Sequence, residues 1–267
     1  MVCREIIEKL CQQSPEEYAC GWDNTGLLAG SYQKEVRRIY VALDATDETV
    51  EEAVNLGADM LLTHHPLIFK GLKKVSSEDF IGRRIIELIK NDIAYYAMHT
   101  NFDIAVMADL ASQKLGLEEE EVLQVTATGD FGVVGIGKAG ALSEALSLKG
   151  CIDLVKQVFE VDTVKVFAPV SFAEDWESFP VSKAAVCPGS GKSVIEDAKK
   201  AGAQVLITGD IDHHEGIDAA AQGMAVIDAG HYGLEKMFIP YMKEYLESRL
   251  TGVEVIAQKV KQPFLYV

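Results

Sequence analysis

Apolar positions along this chain follow two periods in turn. Arg38-Ile-Tyr-Val-Ala-Leu43 is a nearly unbroken apolar run of strand length, and predicts a buried strand. Asp47 to Leu56 carries acidic residues in its first turn and apolar residues at helical spacing, and predicts a helix. The same plan continues through the first half. Asp59–Thr63 reads as a strand, Ser77–Ile89 as a helix, Asp92–Met98 as a strand and Ala108–Leu115 as a helix. A second half repeats it. Lys183–Cys187 reads as a strand and Lys192–Ala201 as a helix; Gln204–Thr208 and Met224–Asp228 read as strands. Helix is then expected from Tyr232 through Leu250. At the N-terminus, Val2, Ile6, Ile7 and Leu10 share one helical face. Strands alternating with helices predict an α/β fold with mixed, largely parallel sheets.

The halves also match residue by residue. Glu51-Glu-Ala-Val-Asn-Leu-Gly-Ala-Asp-Met-Leu-Leu-Thr63 aligns without a gap on Glu196-Asp-Ala-Lys-Lys-Ala-Gly-Ala-Gln-Val-Leu-Ile-Thr208. Glu51, Ala53, Gly57, Ala58, Leu61 and Thr63 are identical in the two copies. Each copy reads as helix, Gly-Ala turn, strand, Thr and then a polar segment. The expectation is two related α/β lobes from an internal duplication, with equivalent strand ends facing one cleft. Residues 1–125 would form the first lobe with its double histidine, and 126–229 the second. Residues 230–267 would supply a C-terminal helix and strand returning to the first lobe. The stretch from Thr126 to Ser182 does not repeat the plan, and Phe131–Gly137 within it is Gly-rich and strand-like.

Composition narrows the partners. The 267 residues are 48% hydrophobic and 25% charged, as in ordinary globular proteins. No apolar run reaches the length of a membrane span, and the acidic, interrupted N-terminus is unlike a signal peptide. A net charge of −16 without clustered Lys and Arg argues against nucleic acid and against acidic lipid. Nucleotides stay possible, because a bound cation reverses the local charge. Five cysteines without a Cys-x-x-Cys pair suit reduced, buried thiols in a cytoplasm.

The chemistry collects at the histidines. All six, His64, His65, His99, His213, His214 and His231, fall just after predicted strands. Ligands of open α/β sheets bind outside the carboxyl ends of strands. Thr63-His-His-Pro66 sets two imidazoles side by side. His99-Thr-Asn-Phe-Asp103 adds a carboxylate from the next strand end. His231-Tyr-Gly-Leu-Glu235 puts a histidine and a glutamate on one helical face. His64, His65, Asp103, His231 and Glu235 are therefore the candidate metal ligands. Imidazoles with carboxylates suit zinc, iron or manganese. Three imidazoles and two carboxylates exceed one tetrahedral site. They suit two divalent ions about 3.5–4 Å apart, bridged by a carboxylate. His99, His213 and His214 are candidate catalytic residues that would move protons. His99 would hydrogen-bond a ligand. The Gly209–His214 loop has three open readings: substrate mouth, proton shuttle or solvated loop.

Two other motifs invite function. Trp22-Asp-Asn-Thr-Gly26 is turn chemistry, expected to pack Trp22 on the core, with a place over the cleft as the alternative. Gly191-Lys192-Ser193 resembles the end of a phosphate-binding loop, but that loop needs glycine where Val186 stands. A tight strand–helix turn is the expectation there.

On these residues the chain resembles the Nif-three-like family, whose bacterial members are commonly labelled GTP cyclohydrolase I type 2 homologues. The resemblance runs nearly end to end. It includes Gly21-Trp-Asp-Asn-Thr-Gly-Leu27, Val41-Ala-Leu-Asp-Ala-Thr46, Leu62-Thr-His-His-Pro-Leu-Ile-Phe69, His99–Asp103, Thr208-Gly-Asp210 and Asp228-Ala-Gly-His-Tyr-Gly-Leu-Glu235. It implies a dinuclear metal centre between two α/β lobes and a ring-shaped homohexamer. It carries the metal ligands onto the same five residues. The chain departs from the family at Ile104–Asp109, where a Gly-rich stretch is common, and at Leu234, where Thr is common. It also lacks the extra domain of longer members. The function expected is a metal-dependent hydrolase acting on a nucleotide or phosphorylated small molecule. The alternative is a non-catalytic metal-binding, metal-delivery or scaffold protein.

Overall fold

The computed structural model describes residues 1–129, 132–170 and 174–265. In chain order the elements are α1 (Cys3–Gln13), β1 (Gly26–Ala29), β2 (Arg38–Ala42), α2 (Asp47–Asn55), β3 (Met60–Thr63), α3 (Phe80–Lys90), β4 (Ala94–Ala97) and α4 (Thr100–Phe102). A π-helical turn, Asp103–Met107, leads into α5 (Ala108–Leu115). Then come β5 (Leu117–Gly129), β6 (Gly132–Ser147), α6 (Leu148–Val158), β7 (Lys165–Phe167), β8 (Pro180–Ser190) and α7 (Ile195–Lys200). The chain closes with β9 (Val205–Gly209), α8 (His213–Ala221), β10 (Ala225–Asp228), α9 (His231–Glu235), α10 (Phe238–Glu247) and β11 (Glu254–Ala257). Among the described residues, no helix is long and apolar enough to cross a membrane.

The chain divides into two compact units. The first is Met1–Phe102 with Lys236–Pro263; the second is Asp103–Glu235 with the tail from Phe264. Each unit holds one sheet. The first runs β1-β4-β3-β2-β11, parallel except for β1. The second runs β5-β6-β8-β9-β10-β7, with a parallel trio β8-β9-β10 flanked by antiparallel strands. These are the mixed α/β sheets that the alternation of periods predicts.

In each unit three parallel strands alternate with two helices, and the matched sequences form the first helix and the middle strand. Gly57 and Gly202 end the two helices with φ of 60° and 80°. Only glycine adopts that left-handed turn without strain. The next N–H then closes the turn: Ala58 donates to the Ala53 carbonyl and Ala203 to that of Ala198. Ala53 and Ala198 are wholly buried, so the helix packs close on its strand. The correspondence extends to side chains. An Asp59 carboxylate oxygen accepts the N–H groups of Arg37 and Arg38, and the Gln204 amide oxygen accepts those of Ser182 and Lys183. The two matched segments thus share this contact as well as the glycine turn.

Middle and third strands are buried at every position in both copies, β3, β4, β9 and β10. A parallel sheet covered on both faces requires this, and it is why these segments are continuous apolar runs. The first unit's core centres on Tyr40, Leu61, Ile85, Leu88 and Tyr95; the second unit's on Ala185, Val194, Ala198, Leu206 and Val226.

Some boundaries differ from the periodic reading. Helix α3 begins at Phe80, not Ser77, because Asp79 caps it by accepting the Gly82 N–H. The segment from Gly191 begins as a single 3₁₀ turn before α7. The long C-terminal helix is two, α9 and α10, interrupted at Lys236–Met237. Gly132–Gly137 are strand, as expected, at the start of β6; Phe131 lies outside the described residues.

Tyr95 braces the strand end that carries the double histidine. Its buried hydroxyl accepts the Leu67 N–H at 2.7 Å and lies 2.8 Å from Thr63 Oγ1 and 3.1 Å from the His65 carbonyl oxygen. Burial pushes its pKa up to about 12, so it stays a neutral hydroxyl. Removing the hydroxyl leaves the Leu67 N–H unmatched, which costs about 1–3 kcal/mol. Tyr95→Phe is accordingly expected to lower the thermal midpoint by several degrees; an unchanged midpoint in calorimetry would contradict this bracing role.

Candidate metal centre

Three imidazoles meet in the first unit. His64 and His65 come directly after β3, and His99 closely after β4. Their ring centroids are 4.8 Å apart for His64–His65, 5.4 Å for His64–His99 and 5.5 Å for His65–His99. One nitrogen from each lies within 4.8 Å of the others. His64 is fully buried, against Phe102 and Phe238.

Each ring is oriented by an oxygen on Nδ1. The Nδ1–H of His64 donates to the Met98 carbonyl at 2.7 Å. That of His65 donates to Asp44 at 2.8 Å, and that of His99 to Asp23 at 2.8 Å. An acceptor on Nδ1 places the proton there and makes Nε2 the basic nitrogen, the arrangement typical of metal-binding histidine. Asp23 is itself fixed. Burial alone would raise its carboxyl, but hydrogen bonds from His99 and from the Thr100 N–H and hydroxyl win and hold it at about 2.

In the second unit, β10 delivers His231 and Glu235 on α9. Asp228, at the end of β10, accepts the N–H groups of Gly230 and Ile211 and pairs with Lys165 at 2.8 Å. That shapes the turn from which α9 starts. His231 Nδ1–H donates to Asp210 at 2.9 Å. Its Nε2 lies 3.0 Å from Glu235 Oε2. A basic nitrogen facing a carboxylate oxygen calls for a cation between them or a second proton. Two atoms each about 2.1 Å from one ion, at roughly a right angle, stand about 3 Å apart. The observed pair fits that spacing.

Asp103 opens the π-helical turn, a rare distortion that often marks functional sites. One of its oxygens lies within 4.8 Å of one from Glu235, which is nearly fully buried. Two carboxylates this close form a strongly negative spot. The neighbouring Cys187 thiol registers it: burial first, then Asp103 and Glu235, pushes its pKa up to about 12. This thiol is inert at neutral pH. Donor type, orientation and negative potential all fit a divalent cation.

Glycine clears the room. A Cβ on Gly189, whose φ is 72°, would stand 2.6 Å from Glu235 Oε1. One on Gly209 would stand 2.5 Å from the His231 N, and one on Gly191 2.2 Å from Thr208 Oγ1. The Gly-rich segment thus serves close packing, as the failed phosphate-loop match implies.

His64, His65 and His99 come together in one unit, and Asp103, His231 and Glu235 belong to the other. His213 and His214 stand apart, exposed on the first turn of α8 with rings 5.2 Å from one another. Trp22 corrects the expectation of a core-packed turn. It is 61% exposed, because Asp23 is the residue this turn buries. Sequence reasoning also missed the orienting carboxylates Asp23, Asp44 and Asp210. Their signal was present, an aspartate in each polar segment near a strand end or turn, but which imidazole each would meet depends on the fold.

The chain matches the family profile described as Duf34/NIF3 (NGG1p interacting factor 3) over residues 1–263. A Clostridium perfringens protein named GTP cyclohydrolase 1 type 2 homolog is 32% identical, with all of both chains covered. A Streptococcus pneumoniae protein of the same name is 34% identical, again over both full lengths. Among solved structures, a Bacillus cereus protein related to NIF3 superimposes with a TM-score of 0.87 at 26% identity, covering 100% of this chain and 99% of that one. Reduced HcgD from Methanocaldococcus jannaschii gives 0.80 at 30% identity, covering 96% and 97%.

The crowding at Glu235 and the depressed Asp23 carboxyl can each be tested. Gly189→Ala puts a Cβ into a left-handed turn 2.6 Å from Glu235 Oε1, so it should lower the thermal midpoint by several degrees; an unchanged midpoint in calorimetry would show that Glu235 is not crowded as described. Asp23 has a folded pKa near 2 against an ordinary 3.8, so its contribution is complete above about pH 4 and is lost as pH falls through 2. The thermal-midpoint advantage of the native protein over Asp23→Asn should therefore shrink between pH 5 and pH 2. A constant difference would refute the depressed carboxyl.

Proposed function

The chain belongs to the DUF34/NIF3 family, and from that premise we propose that His64, His65, Asp103, His231 and Glu235 together hold two divalent ions in a metal-dependent hydrolase. The observation that carries this reading is the uniform orientation of the imidazoles. His64, His65 and His231 each have Nδ1 engaged by an oxygen, making Nε2 the ligand atom. Polar turn residues with no ligand would not all be set the same way.

When bound, the ions supply Lewis acidity and neutralise negative charge at a reacting phosphoryl or ring carbon. The protein's own groups do the rest. Asp44 and Asp210 hold the ligand imidazoles in one tautomer and one direction. His99 is set by Asp23 beside His64 and His65, where its Nε2 can take or give a proton during hydrolysis. His213 and His214, exposed on α8, would serve as shuttles to solvent. The relatives' names make a nucleotide the first substrate class to try, with other phosphorylated small molecules beside it.

The test is metal content per chain, by elemental analysis of protein purified without chelator, beside His65→Ala and Glu235→Ala. About two ions are expected, falling in both variants, together with hydrolysis of at least one nucleotide or phosphoester in a panel. One ion or none after reconstitution sinks the dinuclear reading. Full metal with no turnover under zinc, iron or manganese leaves a metal-binding protein and removes the hydrolase.

A further inference from the structure

The exposed aromatic surface beside His99 has no role in holding metal. Trp22 is 61% exposed and Phe69 45%, both unusual for such large rings. Their centroids are 5.9 Å apart with planes inclined at 51°. Both also touch His99, at 6.1 Å and 6.3 Å. The three rings therefore form a continuous path from solvent to the imidazole cluster.

This surface is built rather than loose. Asp23, next to Trp22, is buried and accepts the His99 Nδ1–H, the Thr100 N–H and the Thr100 hydroxyl at 2.6–3.0 Å. Thr100 Oγ1 in turn accepts the Cys20 N–H at 2.9 Å. The Asn24 side-chain amide donates to the Ile68 carbonyl and so ties the Trp22 turn to the segment that carries Phe69. The backbone around Trp22 is thus pinned on both sides while the indole stays uncovered. Keeping an aromatic ring rigid and wet is unfavourable unless something covers it in use.

Charge narrows the choice of occupant. Lys70, Lys73 and Lys74 come after Phe69 in an exposed loop, in a chain of net charge −16. Exposed aromatic faces followed in the chain by three exposed lysines suit a planar ring that carries phosphate.

We propose that Trp22 and Phe69 form the subsite for the base of a nucleotide substrate, Trp22 stacking on the base and the lysines of residues 70–74 attracting the phosphate. This rests on the metal-hydrolase reading and names its substrate class. A ring seated on Trp22 stands one side chain away from His99, and through it from His64 and His65.

The test uses full-length, metal-loaded protein in which Trp176→Phe leaves Trp22 as the sole tryptophan of the two in the chain. GMP is expected to quench Trp22 emission saturably. Ribose 5-phosphate, which lacks the base, should bind at least about tenfold more weakly. By calorimetry, Trp22→Ala should weaken GMP about tenfold or more and leave ribose 5-phosphate unchanged, with Trp22→Phe largely preserving GMP affinity. Equal affinity for the two probes, no GMP binding, or GMP affinity indifferent to Trp22→Ala would overturn the proposal. So would light scattering showing that Trp22→Ala reduces the number of chains per particle, since a second copy would then be the cover over the ring. Metal content on the same samples separates the readings. Protein that takes up no metal sinks the hydrolase, whereas loaded protein that binds GMP without Trp22 sinks only the base subsite.

Discussion

An imidazole wholly or partly withdrawn from water needs an acceptor for its N–H, and much of this protein is arranged around that requirement. His64 meets it with a backbone carbonyl; His65, His99 and His231 meet it with carboxylates. Each solution recruits another element. The Met98 carbonyl ties β3's end to β4's, Asp44 brings in the loop after β2, and Asp210 joins β9's end to the start of α9. The orientation of the rings is therefore a property of several strand ends at once, not of the histidines themselves.

The two sheets show how one scaffold is used twice. Glycine turn, buried alanine and amide-capping side chain are kept in both copies, because they set how close a helix can lie on its strand. Residues just past the strand are not constrained in that way, and there the copies diverge. After Thr63 come two histidines; after Thr208 come Gly209 and Asp210. After the third strand the first copy has His99 and the second has Gly230 and His231. Packing kept the frame alike and left its rim open to chemistry.

The second unit concentrates negative charge where the chain is already acidic. Asp103 and Glu235 lie close together, and Cys187 behind them is driven away from ionising. Such a spot is costly on its own and favourable around a cation. Gly189 and Gly209 make it sterically possible, since any side chain there would strike Glu235 or the His231 backbone.

The sequence by itself determined the α/β class, the strand–helix order of the two matched segments and the placement of all six histidines just after strands. These depend on local periodicity and on residue identity, which a linear reading sees directly. It also named the double histidine and the His231–Glu235 pair, whose spacing is meaningful within one turn of chain. Tertiary structure decided the rest. Whether Asp23 would meet His99, 76 residues away, depends on which turn packs beside which strand end. Whether Trp22 or its neighbour would be buried depended on that same pairing, because one carboxylate collecting three donors fixes the turn and leaves the indole outside. Side-chain type is written in the chain, but burial and partners come from contacts between residues far apart in it, and those exist only once the sheets have formed.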